Sequence, residues 1–211
     1  GVATVVDQPN SVPAIDNAEI FSARVELAKS QAYCRFAVNG SLNETADIKG
    51  LAEAGVLAFG EMFAAPSSYG SALTPEVIAR VTKEAAAIGK LITVHAEEVA
   101  PGEVHSLSEH ALSRPASGET KTISLVNSLA PENAKLHYCH ISSTDSFSAM
   151  KPGSTFEVAP HHLFLSYETA KNAADTHMRM NPPLREESER IRKVCTVVSA
   201  TDALTSLAIC A

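Results

Sequence analysis

Several things are missing from this chain of 211 residues, and each absence narrows what it does. Lys and Arg form no cluster, and the formal net charge is −7, so neither nucleic acid nor an anionic membrane surface is an expected partner. No apolar run approaches the roughly 20 residues that span a bilayer. No secretory leader pattern is read at the start, and a cytoplasmic location is expected. The four cysteines, Cys34, Cys139, Cys195 and Cys210, show no CxxC pairing. Three of them sit in apolar runs, which predicts buried free thiols in a reducing compartment. No Gly-rich phosphate fingerprint follows any strand, and this weakens a nucleotide-binding reading. There is no low-complexity segment and no repeat beyond a βα unit.

Hydrophobic residues make up 45% of the chain, enough for a real core. Short β-branched runs alternate with helical patterns. Strand candidates fall near residues 3–6, 33–38, 56–63, 91–95, 135–139, 154–158 and 196–200. Helices are expected over 18–31, 45–54, 74–89, 106–114, 117–129, 143–150 and 187–194. Gly55 fits a C-terminal cap, and Thr74-Pro75 fits an N-cap followed by the first helical position. Strands alternating with helices imply a parallel sheet with right-handed crossovers, either doubly wound or closed as a (β/α)8 barrel.

The polar residues favour the barrel. Asp7, Asn10, Glu61, His95, His140, His161, His162 and Asp202 all fall at the C-terminal ends of the strand candidates, where barrel enzymes keep their chemistry. Seven strands, with the chain opening inside one of them, predict an α/β barrel of strands 2 to 8, one domain over residues 1–211. Such a barrel leaves two unpaired edges, and instability or self-association, including a homo-oligomer, is expected. Glu61, His95 and His140 end three consecutive strands. Imidazole and carboxylate suit Zn, Mn or Fe, and a catalytic site keeps positions open for water. His137 reads as structural, and His105 and His110 as solvated residues of a polar helical stretch. His177 falls in a loop and says nothing.

These residues carry a resemblance. GVATVVDQPNSVP (1–13), LITVHAEE (91–98), RPASGE (114–119), LHYCHISS (136–143), FEVAPHHLFLS (156–166) and MNPPLR (180–185) resemble, in order, signature segments of the cyclic amidohydrolases, and of dihydroorotases of the archaeal type in particular. The resemblance implies a metal-dependent amidohydrolase barrel with a pair of divalent metals, usually zinc. By it His95 and His140 ligate one metal. Glu61 falls where many members carry a carboxylated lysine bridging the two. Asn10 and Asn181 match substrate-contacting positions, and Asp202 the proton-shuttling aspartate of the last strand. Arg185 and the His161–His162 pair match signatures without an assigned role here. The bland reading of PHH and NPPLR is a rigid scaffold, since Pro fixes the backbone.

The implied reaction is metal-assisted cyclic amide hydrolysis, interconverting N-carbamoyl-L-aspartate and dihydroorotate in pyrimidine biosynthesis. Alternatives are a hydantoinase, dihydropyrimidinase or allantoinase, or a scaffold relative without activity. Two departures stand out. The His-x-His-x-Arg motif of the first strand, source of second-metal ligands, is absent. Ala203 also follows Asp202 where the family places a histidine.

Overall fold

The structure is a computed structural model that describes residues 1–66, 72–169 and 176–200, the side chains of 198–200 excepted. Its residues cluster into two compact units, Gly1–Val94 with Ser128–Leu136, and His95–Asn127 with the chain from His137 onward.

The first unit begins with β1 (Thr4–Asp7). Asn17 then caps α1 (Ala18–Gln31), its Oδ1 accepting the Ile20 N–H at 3.0 Å. β2 (Arg35–Val38) pairs parallel to β1, with Thr4 opposite Arg35 and Asp7 opposite Val38. Asp47 caps α2 (Ile48–Ala54), which Gly55 ends at φ 106°, the left-handed cap that its position predicts. β3 (Phe59–Phe63) follows, joined to the end of β2 by a parallel bridge between Gly40 and Phe59. Thr74 caps α3 (Pro75–Ala87), with Pro75 in the first turn. That helix buries Ile78, Val81, Thr82, Ala85 and Ala86, one stripe at helical spacing. β4 (Leu91–His95) and β5 (Lys135–Tyr138) both run from this unit into the next. Ile15, Leu51, Val56, Phe59, Met62 and Ile92 are fully buried and form the unit's core.

The second unit holds α4 (Leu107–Ser113), capped by Ser106, and α5 (Ala116–Leu129). Short α6 (Ser146–Ala149) precedes β6 (Thr155–Phe156), which pairs parallel to the end of β5 with His137 opposite Thr155 and Tyr138 opposite Phe156. α7 (Pro160–Phe164), a 3-10 turn at Thr176–Met178 and α8 (Glu187–Ala200) complete it. Val158, Leu163 and Val197 pack with Phe147, Phe156 and Val194 as a small apolar cluster. Strand order is β1-β2 in one sheet and β3-β4-β5-β6 in the other.

Three expectations need correction. Residues 196–200 are not a strand: they continue α8. Glu189, Lys193 and Val197 are buried at a spacing of four, so that face seats on the unit although two of its three residues are charged. The β-branched Thr196-Val197-Val198 run suggests extension, and tertiary packing overrides it. His110 is buried, not solvated, and Cys195 is exposed, not buried. Among the described residues no helix is long and apolar enough to cross a membrane.

Candidate metal centre

Two strand-end histidines meet in the second unit. His95 ends β4, and His140 follows β5 two residues after its last member. His95 Nδ1 and His140 Nε2 are 3.2 Å apart, and the rings stand edge to face, centroids 4.7 Å apart. The other nitrogen of His95, Nε2, lies 3.1 Å from Glu97 Oε2. A carboxylate accepts only, so Glu97 favours the tautomer with the proton on Nε2. That leaves the Nδ1 lone pair aimed where His140 Nε2 also points. Glu97 is itself held by Arg114, whose Nε is 3.1 Å from Oε1. A carboxylate behind a histidine in this way fixes ring orientation and raises ligand basicity.

His140 sits at φ 37°, a left-handed backbone that non-glycine residues rarely adopt. The loop after it is anchored to hold this conformation. Glu119 of α5, 1% exposed, accepts the Ser142 and Ser143 N–H groups at 2.9 Å each, and the Ser142 and Ser146 hydroxyls at 2.5 and 2.6 Å. Arg185 donates to Ser142 Oγ through Nε and Nη2 at 3.0 and 2.7 Å. Lys193 donates to the Ser142 carbonyl at 2.7 Å, and burial lowers its pKa to about 8. Arg185 and the Glu of RPASGE are therefore scaffold for the His140 loop.

The MNPPLR segment is pinned from both sides. His110 Nε2 is 3.0 Å from the Met180 carbonyl and His162 Nε2 is 3.0 Å from the Pro182 carbonyl. Burial lowers the pKa of both imidazoles, that of His162 well below the usual value, so each acts as a neutral N–H donor. Between these two carbonyls stands the exposed Asn181. His161 is half-buried, and burial and then the neighbouring His140 lower its pKa.

In the first unit the sequence candidates Asn10 and Glu61 come together. Asn10 Nδ2 donates to Glu61 Oε2 at 3.2 Å, and both line a cavity of about 370 Å³ with Ser41, Asn43 and Phe63. Gly60 positions Glu61. Its φ is 107°, and a Cβ there would fall 2.2 Å from the Thr93 carbonyl oxygen. Asp202 lies outside the described residues, and the strand expected before it is helix. Glu97 escaped the sequence reading as a functional residue, although the HAEE spacing offered it.

No family model matches the chain. In sequence it is 32% identical over 210 residues to the dihydroorotase of Methanosarcina acetivorans, covering 88% of this chain and 44% of that protein. It is 32% identical over 196 residues to that of Methanopyrus kandleri, covering 90% and 46%. In structure it matches the L-hydantoinase of Arthrobacter aurescens with a TM-score of 0.79 at 20% identity, covering 92% of this chain and 47% of that one. Dihydroorotase from Saccharomyces cerevisiae in complex with 5-fluoroorotic acid matches with a TM-score of 0.68 at 15% identity, covering 95% and 59%. The fold defines the class: an α/β barrel of the kind these hydantoinase and dihydroorotase structures have, of which this chain forms a part. Within that class, its sequence relatives are the dihydroorotases. The chain spans about half the length of the curated relatives it matches.

Proposed function

We propose that the chain contributes a divalent-metal centre, zinc by donor chemistry, to a cytoplasmic dihydroorotase that interconverts N-carbamoyl-L-aspartate and dihydroorotate in pyrimidine biosynthesis. The observation that carries this reading is the convergence of His95 Nδ1 and His140 Nε2, with Glu97 holding the His95 proton on the far nitrogen. Two imidazoles presented this way suit zinc. The resemblance adds Glu61 as the carboxylate ligand. A bound metal supplies a water of lowered pKa and polarises the amide carbonyl.

The chain's own residues do the rest. Glu97 and Arg114 hold His95 in place, and Glu119 and Arg185 hold the loop after His140. Asn10 and Asn181 are the substrate-contacting side chains that the family signatures assign. Asn181 is presented by a segment that His110 and His162 fix on either side. Asp202 is the proposed proton carrier of the amidohydrolase reaction.

The hydantoinase likeness supports a second reading, an enzyme acting on hydantoins or dihydropyrimidines. The test is zinc content by mass spectrometry, together with turnover of dihydroorotate, hydantoin and dihydrouracil by the zinc-loaded protein. Less zinc bound by His140→Ala than by the parent, with turnover of dihydroorotate alone, is expected. Unchanged zinc in His140→Ala refutes the centre. Turnover of dihydrouracil but not dihydroorotate establishes the second reading. Zinc without turnover of any of the three leaves a metal-binding scaffold.

A further inference from the structure

A second set of metal-type donors lies on the β5–β6 pair and shares no residue with the His95–His140 pair. His137 and Cys139 are two residues apart at the end of β5, so in extended chain they share one face. Tyr138 between them points to the other face, where its hydroxyl donates to Asn127 Oδ1 at 2.5 Å. On the neighbouring strand, Thr155 is opposite His137. The ladder continues past β6: the Glu157 N–H donates to the Tyr138 carbonyl at 3.0 Å, and the Ile141 N–H to the Glu157 carbonyl at 2.8 Å. This register puts Glu157 beside Cys139, on the same face.

One ligand atom each from His137, Cys139 and Glu157 lies within 4.8 Å of the others. His137 Nε2 is 3.3 Å from Glu157 Oε2, and its Nδ1 is 2.8 Å from Thr155 Oγ1. That second contact is the one a metal-bound imidazole needs. In the metal-free chain the Glu157 carboxylate draws the imidazole proton to Nε2; when a cation takes Nε2 and the carboxylate together, the proton moves to Nδ1, where the Thr155 hydroxyl accepts it. Cys139 is 2% exposed, while His137 and Glu157 keep side-chain exposures of 15 and 14%, so an ion has a way in.

We propose that His137, Cys139 and Glu157 form a zinc-type site, with Thr155 orienting the imidazole. Imidazole, thiolate and carboxylate together suit Zn²⁺ and its probe Co²⁺, and exclude Mg²⁺ and Ca²⁺, which take oxygen ligands. On binding, the Cys139 thiol releases its proton to solvent as the sulfur–metal bond forms. The role is structural: the ion ties β6, two residues long, to β5.

The thiolate separates this site from the His95–His140 centre, whose ligands contain no sulfur. Chelator-stripped full chain is titrated with Co²⁺ and the sulfur-to-cobalt charge-transfer band is followed. The band is expected at one equivalent, displaced by Zn²⁺, kept in the His95→Ala/His140→Ala variant and lost in Cys139→Ser. Thr155→Val, which keeps a β-branched side chain in the strand, is expected to weaken Co²⁺ binding about 10- to 100-fold. Should Cys139→Ser fail to fold, protection of Cys139 in the parent from alkylation by added Zn²⁺, mapped by peptide mass, gives the same answer. No charge-transfer band, a band that survives Cys139→Ser, or alkylation of Cys139 unaffected by Zn²⁺ overturns the proposal.

Discussion

Truncating Glu119 is the sharpest perturbation available. Its carboxylate accepts two backbone N–H groups and two hydroxyls, all buried, with the Arg185 guanidinium 3.9 Å away. In Glu119→Ala the two hydroxyls rotate to other acceptors, but the Ser142 and Ser143 N–H groups cannot. Each buried N–H left unpaired costs about 1–3 kcal/mol. Arg185 and Lys193 also lose a buried counter-charge, and breaking such a network costs about 3–5 kcal/mol in all. Against a typical domain stability of about 5–15 kcal/mol, that is roughly a fifth or more. Glu119→Gln keeps the shape and one acceptor oxygen, but its amide group confronts donors at the other end. It is expected to lose about 2 kcal/mol. The assay is urea unfolding followed by circular dichroism, with linear extrapolation to water. Because Ser142 and Ser143 closely follow His140, zinc affinity is expected to fall in the same order, parent, Gln, Ala. A loss below about 1 kcal/mol in both variants would refute the assignment of Glu119 as the anchor of the His140 loop.

Other perturbations test separate parts of the molecule. Glu97→Gln removes the carboxylate behind His95, and zinc affinity measured by competition with a chelator should fall about 10- to 100-fold; an unchanged value shows that Glu97 does not orient the ligand. Gly60→Ala drives a Cβ into the Thr93 carbonyl at a positive φ. It should destabilise the protein by about 1–3 kcal/mol in urea melts, whereas Gly55→Ala, which meets open space, should cost less. Lys193 titrates at about 8 when folded, against 10.5 for the ordinary side chain. The unfolded chain therefore holds more protons between those values, so stability should rise with pH across that window and be flat below it. The slope should vanish in Lys193→Met; a slope that persists there has another source.

Much of the scaffold was local and so legible in sequence. The caps at Gly55 and Thr74 act within a few residues of themselves, and the chain shows them where the sequence places them. The strand end at His95 was likewise marked by a β-branched run stopping at a polar residue, whereas Glu61, read as a strand end, falls in the middle of β3. The same local rule failed at 196–200. There the helix face that seats on the unit is Glu189, Lys193 and Val197, and charge on a buried stripe hides its periodicity.

What tertiary structure alone decided is pairing over long separation. RPASGE showed a glutamate but not that Ser142, Ser143 and Ser146 would surround it. HAEE showed two glutamates but not that Glu97 would fold back onto His95 while Glu98 stays outside to meet Lys121. His110 looked solvated because its helix is polar, yet it is buried against a carbonyl seventy positions away in sequence. A sequence displays which groups can donate, accept or ligate. Which of them lose their water depends on the path of the whole chain, and desolvation is what turns a nearby polar group into a fixed partner.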